Sequence, residues 1–291
     1  MKTKVTKAIL PVAGRGTRFL PVTKVQPKEM LPVVDKPVVQ YLVEEIANAG
    51  IKEIIFVTGR EKRTIEDHFD VAPGLEHALE ENGKPELAEM IRSISDLAEF
   101  SYVRQKLPRG DGDAMLRASR LVFDEPVLVI FGDCLYDSDV STCKQLLESY
   151  EKFQVPIIGL AEVPRSEVSK FGVIDGVKID EVHWDVKAFV EKPTPEKAPS
   201  TIVAPGRYII TPRVFETLAE LDRDKSFSGE LRLANAFETM LKRGEKIYGR
   251  LLDGTWLDTG DKFSLLRANI HLGLKHPEIG PKLTAYLKTL K

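Results

Sequence analysis

Apolar, β-rich runs alternate with helical patterns through the first half of the chain. Lys7 to Ala13 (KAILPVA) reads as a buried strand, and residues 37 to 50 set Val39, Leu42, Val43, Ile46 and Ala49 at helical spacing. Pro37 suits the first turn of that helix and Gly50 its C-terminal cap. The pattern then predicts a strand over Glu53 to Thr58, a short helix over Lys62 to Phe69 and a strand over Phe100 to Val103. A helix over Asp113 to Leu121 and a buried strand over Val127 to Phe131 follow. Strand and helix in repetition predict an α/β fold with a mostly parallel sheet covered on both faces.

The charged stretch from Pro73 to Ser95 interrupts this alternation and reads as a helical excursion from the sheet edge. From Pro156 onward the pattern changes to short strands (PIIGLAEV, FGVID, KAFVEK, RYII) separated by Pro and Gly, with helices at Pro212 to Leu221, Leu231 to Arg243 and Lys262 to Leu274. These later strands read as insertions between members of the main sheet. The most linker-like stretch, Thr194 to Ser200, is only a loop, so one domain over 1–291 is expected, its pattern changing between a first half of about 1–150 and a second of about 151–291.

Composition narrows the class. Over 291 residues, 42 Lys+Arg against 44 Asp+Glu leave a net charge of −2, which excludes a broadly basic nucleic-acid binder and an acidic disordered chain. No apolar run approaches the roughly 18 to 20 residues of a membrane span, and the start lacks the apolar run of a signal peptide, so the protein is read as cytoplasmic, with no nucleic-acid or membrane partner. Cys134 and Cys143 belong to no CxxC or HExxH pattern, which points away from a disulfide framework and a zinc site. No Ser-His-Asp or Cys-His pattern is evident.

The first strand runs into Ala13-Gly14-Arg15-Gly16-Thr17-Arg18-Phe19. Glycines let phosphate oxygens approach backbone amides closely. The dinucleotide fingerprint fails at Phe19, and no GxxxxGK[ST] occurs, which leaves a short glycine turn with Arg15 and Arg18 and, ten residues beyond Arg18, Lys28. Several cations beside such a turn suit a polyphosphate; the alternative is a solvated turn with ordinary surface cations.

The succession AGRGTRF, PKEMLPVVDKP, VTGREKRTIEDHF, YVRQ, FGD, SKFGVI, VEKP and WLDTGDK resembles the bacterial UTP–glucose-1-phosphate uridylyltransferase family of sugar nucleotidyltransferases, from Lys7 to about Leu274. The resemblance implies a Rossmann-like three-layer αβα fold, Mg²⁺ dependence, a homodimer or homotetramer, and formation of UDP-glucose and pyrophosphate from UTP and glucose 1-phosphate. By matched position it implies that Ala13 and Gly14 lie against the base and that Gly16, Thr17, Arg18 and Lys28 hold the triphosphate. Gln105 and Gly110 would read the uracil edge, Glu191 would accept from sugar hydroxyls, Lys192 would pair with the sugar phosphate, and Gly172 would let the backbone approach the hexose. Asp133 would be the first Mg²⁺ ligand and Asp258 the second. Arg18, Lys28, Asp133 and Lys192 would carry the catalysis. The attacking phosphate is mostly ionised near neutral pH, so no general base is required.

Asp137-Ser138-Asp139 resembles a DxD metal motif, but Asp139 reads better as N-cap of a helix over Val140 to Tyr150. Three departures from the family's pattern stand out. Gly110-Asp111-Gly112-Asp113-Ala114 replaces a loop close to GLGHA, Cys134 stands where a second Asp is common, and Ser228 to Ala236 replaces a GGEIQLTDA-like element. They leave base and sugar preference open, with a thymidylyltransferase or a non-catalytic nucleotide-sugar-binding paralogue as alternatives.

Overall fold

A computed structural model describes residues 2–290. The chain opens with β1 (Lys7–Pro11), passes through the glycine loop to a two-residue ladder of β2 (Pro32–Val33) and β3 (Lys36–Pro37), and enters α1 (Val38–Asn48). Next come β4 (Glu53–Thr58), α2 (Arg63–Phe69), α3 (Pro73–Glu81), α4 (Pro85–Ser95), β5 (Glu99–Arg104), α5 (Asp111–Val122), β6 (Val127–Ile130), β7 (Cys134–Asp137) and α6 (Thr142–Phe153). The second half supplies β8 (Ile157–Glu162), β9 (Gly172–Lys178), β10 (His183–Glu191), β11 (Ile202–Ala204), β12 (Arg207–Ile210), α7 (Pro212–Arg223) and α8 (Leu233–Lys242). It closes with β13 (Tyr248–Leu251), β14 (Thr255–Asp258), α9 (Lys262–Lys275) and α10 (Gly280–Leu287).

One sheet runs in the order β11-β9-β10-β13-β8-β12-β6-β1-β4-β5. β6, β1, β4 and β5 lie parallel, as the strand–helix repetition predicts. The later strands enter differently: β12 is antiparallel to β6 and β8, β10 to β9 and β13, and β11 to β8 and β9, while β13 is parallel to β8. The sheet is therefore mixed, and the expectation of a mostly parallel one holds for its first-half strands. Connection length explains the change, since the short link from β9 to β10 joins antiparallel neighbours, whereas parallel neighbours need a longer crossover such as the one α1 supplies.

Alternate side chains of the central strands feed opposite faces. Ile9, Ile55, Val57, Val127 and Val129 pack with Ala114 and Met115 of α5, Val214 and Leu218 of α7, and Phe237 of α8. On the other face Ala8, Leu10, Ile54, Phe56, Leu128 and Ile130 meet α1, α2, α6 and Ala268 of α9. Helix, sheet and helix thus form three layers, each strand apolar on both sides because both are covered. The stretch from Pro73 to Ser95 does stand off the sheet edge before β5, split into two helices at Gly83, whose φ of +69° ends the first.

One local expectation fails and two strands were not foreseen. Asp139 is not the cap of α6: the helix starts at Thr142, and Glu45 Oε1, from α1, accepts from Cys143 N, Thr142 Oγ1 and Ser141 Oγ. A part-buried carboxylate from another element has taken the work of a local Asp. The strands β7 and β14 also escape the periodicity, being four residues each and paired only with one another. No helix among the described residues is long and apolar enough to cross a membrane.

Candidate active site

The glycine loop is shaped by one close approach. Gly16 has φ +63°, and a Cβ there would stand 3.2 Å from Thr23 Cγ2 and 3.3 Å from Lys28 Cβ. Thr23 Oγ1 donates to Gly16 O at 2.8 Å, so the loop folds back on the segment that carries Lys28. Lys28 Nζ then reaches Asp133 Oδ2 at 2.5 Å, at the end of the turn after β6. Burial works against both charges. Their mutual attraction and hydrogen bond outweigh it, so the Lys28 ammonium is held above its usual pKa and the Asp133 carboxylate below its own.

The β7–β14 ribbon supplies the second acid. Its register sets Asp258 opposite Cys134, which puts Asp258 beside Asp133 although 125 positions separate them. A Cβ on Gly260 would lie 3.0 Å from both Asp133 Oδ2 and Asp258 Oδ1 and 3.3 Å from Arg18 Nη1, so two carboxylates and a guanidinium converge on one point. Burial pushes the Asp258 pKa up, and the charges of Asp133 and Asp261 add to the effect against the Gly260 N–H and Arg18.

Two cavities meet at these residues. One is lined by Ala13, Gly14, Lys28, Gln105, Gly110 and Asp133, the other by Arg18, Asp133, Gly172, Glu191, Lys192 and Asp258; both also border Asp111 and Phe131. Lys192 sits at φ +45°, a left-handed conformation that a lysine rarely adopts, held by its N–H donating to Phe171 O at 3.0 Å. Its Nζ is 3.4 Å from Glu191 Oε1, which also accepts from Arg232 Nη1 at 3.3 Å. Gly172 borders the second cavity, but a Cβ there would strike the Phe189 ring at 2.3 Å, so core packing demands this glycine whatever the ligand. Arg15 and Thr17 are not brought to Asp133. They line a third hollow, with Arg60 and Lys106, that shares Ala13, Gly14 and Gln105 with the first cavity.

Comparison with known proteins gives this geometry a family. The nucleotidyl transferase family model matches residues 7–273. The chain belongs to that family. This nucleotidyl transferase is 43% identical over 288 residues to the UTP–glucose-1-phosphate uridylyltransferase YngB of Bacillus subtilis, covering 99% of this chain and 96% of that one. It is 42% identical over 287 residues to the UTP–glucose-1-phosphate uridylyltransferase of Staphylococcus epidermidis, covering 99% of each. A crystal structure of UDP-glucose pyrophosphorylase complexed with UDP-glucose superposes with a TM-score of 0.83 at 41% identity, covering 94% of this chain and all of the other.

Several residues of the transferase's site escape sequence reasoning. Glu29 is 1% exposed and pairs with the equally buried Lys62 at 2.8 Å, forming a floor against which Gly132 packs. A lone acid inside the apolar run PKEMLP was the available signal, because a buried carboxylate needs a cation. Asp111 borders both cavities, and its Oδ1 accepts from Leu233 N at 2.6 Å; burial pushes its pKa to about 6. Arg232, in the altered Ser228 to Ala236 element, borders the second cavity beside Glu191. Arg207 is fully buried and donates to Cys134 O through Nε at 3.2 Å and Nη2 at 2.6 Å, pinning the turn that carries Asp133.

A Ser-His-Asp chain does exist in the fold, contrary to the reading of the sequence. Ser149 Oγ lies 3.0 Å from His183 Nε2, and His183 Nδ1 lies 2.8 Å from Asp180. Ser149 is 2% exposed and gives its proton to Gln145 O, so it is a buried structural link with no room for a substrate.

Proposed function

We propose that this enzyme forms UDP-glucose and pyrophosphate from UTP and glucose 1-phosphate. The observation that carries the reading is the junction of two cavities at Asp133, one walled by the glycine loop and Lys28, the other by Glu191 and Lys192. The names of the relatives, and UDP-glucose in the superposed pyrophosphorylase, agree with it.

In this reading Ala13 and Gly14 lie against uracil, whose edge is read by Gln105 and Gly110. Lys28 and Arg18 neutralise the triphosphate, with Arg15, Thr17 and the Gly16 turn left for its distal phosphates. Glu191 accepts from the hexose and Lys192 holds its phosphate, aligning one ionised oxygen with the α-phosphorus for in-line displacement of pyrophosphate. The chain's part is positioning and charge neutralisation, which suits phosphoryl chemistry without a general base.

The acidic pair fits Mg²⁺, which takes one or two carboxylates and completes its shell with water and phosphate oxygens. Asp133 and Asp258 aim at one point, and the raised Asp258 pKa marks a carboxylate that a cation would relieve. When bound, the ion would stabilise charge developing on the transferring phosphate. We place a contact between copies of the chain at the C-terminal helices, where Phe263 and Leu266 stand exposed.

The test is pyrophosphate release from each pairing of nucleoside triphosphate and sugar 1-phosphate, with and without Mg²⁺. UTP with glucose 1-phosphate is expected to lead. If dTTP outcompetes UTP by about tenfold or more, a difference of about 1.4 kcal/mol, the uridylyl reading fails.

A further inference from the structure

We propose that Asp113 is a positioning residue that sets base preference by locking the Gln105 carboxamide with its oxygen toward the nucleotide, so that the site takes uracil and rejects cytosine. The proposal rests on the reading above that the base lies against Gln105. Asp113 is one of the two carboxylates that break the family's usual loop, and it lies in the first turn of α5 with 2% exposure.

The lock is chemical. Gln105 Nε2 donates to Asp113 Oδ2 at 2.7 Å and to Gly110 O at 3.0 Å, so both of its protons are engaged by groups that only accept. Turning the amide over would press Oε1 against two acceptor oxygens inside a buried site, where an unpaired polar group is costly. The carboxylate is itself tethered: Arg117 Nε and Nη2 donate to Oδ1 at 3.2 and 2.6 Å, and Arg109 Nη1 stands 3.7 Å away.

With Nε2 committed, Oε1 is the atom left to the cavity that Gln105 and Gly110 both line, and among the described residues no donor reaches it. Uracil offers N3–H there and cytosine a lone pair at N3. The exocyclic position differs too, an acceptor O4 in uracil against a donor amine in cytosine. An acceptor fixed opposite N3 therefore bonds the first base and repels the second. Thymine presents the same edge as uracil, so this device does not separate UTP from dTTP.

The experiment compares kcat/KM for UTP and CTP in wild type and Asp113→Asn. Asparagine keeps the size but can donate as well as accept, which removes one of the two obligate acceptors that oppose a turn of the Gln105 amide and leaves only Gly110 O against it. The UTP:CTP ratio is expected to fall by about tenfold or more, with CTP use rising in absolute terms, since discrimination built on unpaired buried polar groups is large. A residue that merely braces the loop would lower both substrates together, and an unchanged ratio in a folded variant overturns the proposal. If Asp113→Asn does not fold, Arg117→Gln, at a half-exposed helix position, loosens the same carboxylate; a fallen ratio supports the proposal and an unchanged one rejects it. Wild-type protein that shows no preference for UTP over CTP would instead sink the uridylyl reading, separating the two failures.

Discussion

Lys28 and Asp133 stand 105 positions apart in the chain and meet with Nζ 2.5 Å from Oδ2, at the seam between the two cavities. The ammonium is already in place for an anion, and the carboxylate is kept ionised by it. Lys28 borders the glycine-loop cavity, proposed above for the nucleotide, whereas Lys192 borders the other cavity alone. Lys28→Ala is therefore expected to raise KM for UTP far more than for glucose 1-phosphate, and Lys192→Ala to do the reverse. A charge-assisted contact is worth about 1.5–3 kcal/mol, or roughly 10- to 150-fold. Steady-state kinetics with each substrate varied in turn checks this; equal losses on both substrates would refute the division.

The two acids should differ when mutated. Asp258 has its pKa raised by burial and by its neighbour, so the ionised form is disfavoured in the fold; Asp258→Asn should leave the ligand-free melting temperature at pH 7 equal or higher while weakening Mg²⁺ dependence. Asp133→Asn should lower both, because it strands the buried Lys28. Differential scanning fluorimetry beside Mg²⁺ titration of activity distinguishes them, and a matched response from both variants would contradict the argument.

Asp111 gives a pH signature. Its pKa rises from an ordinary 3.8 to about 6 in the fold, so between those values the native state holds a proton that the unfolded chain releases. That contribution to stability is complete below about pH 3.8 and is lost as pH climbs through about 6. Asp111→Asn can still accept from Leu233 N but does not titrate; above pH 6 it should melt higher than wild type, with the gap closing toward pH 4. Parallel melting curves across that range would disprove it.

The Arg207–Glu45 pair bears on stability rather than chemistry. Arg207 is wholly buried, its Nη1 2.8 Å from Glu45 Oε2, and Glu45 also caps α6. Glu45→Gln should cost on the order of 3–5 kcal/mol, the usual penalty for stranding a buried charge. Chemical denaturation measures it, and a loss below about 1 kcal/mol would mean that the pair is dispensable.

How much of this was legible depended on whether the cause was local. The parallel strands announce themselves because Ile9, Ile55 and Val129 belong to unbroken apolar runs covered on both faces. The motif residues Lys28, Asp133, Glu191 and Lys192 were all legible and line the joined cavities. Arg15 was legible as a cation near a glycine turn, but which hollow it lines depends on how Gly16 folds against Thr23. The capping of α6 by Glu45 and the ribbon of β7 with β14 are long-range pairings that no window of sequence contains, whereas the lock on Gln105 spans only eight positions and is hidden because it depends on how the chain turns at Gly110. Asp113 looked like a disturbance of the loop when read alone; with Gln105 and Arg117 around it, the same carboxylate is a fixed acceptor.

The β7–β14 ribbon has a consequence for biosynthesis. A polypeptide leaving the ribosome can pair β1 with β4 and β6 once its first 130 residues are out, and the glycine loop and Lys28 are then in hand. Asp258 follows Asp133 only after a further 125 residues. Until then Asp133 lacks its partner across the ribbon, so a prematurely terminated product would own the glycine-loop cavity without the converging acidic pair.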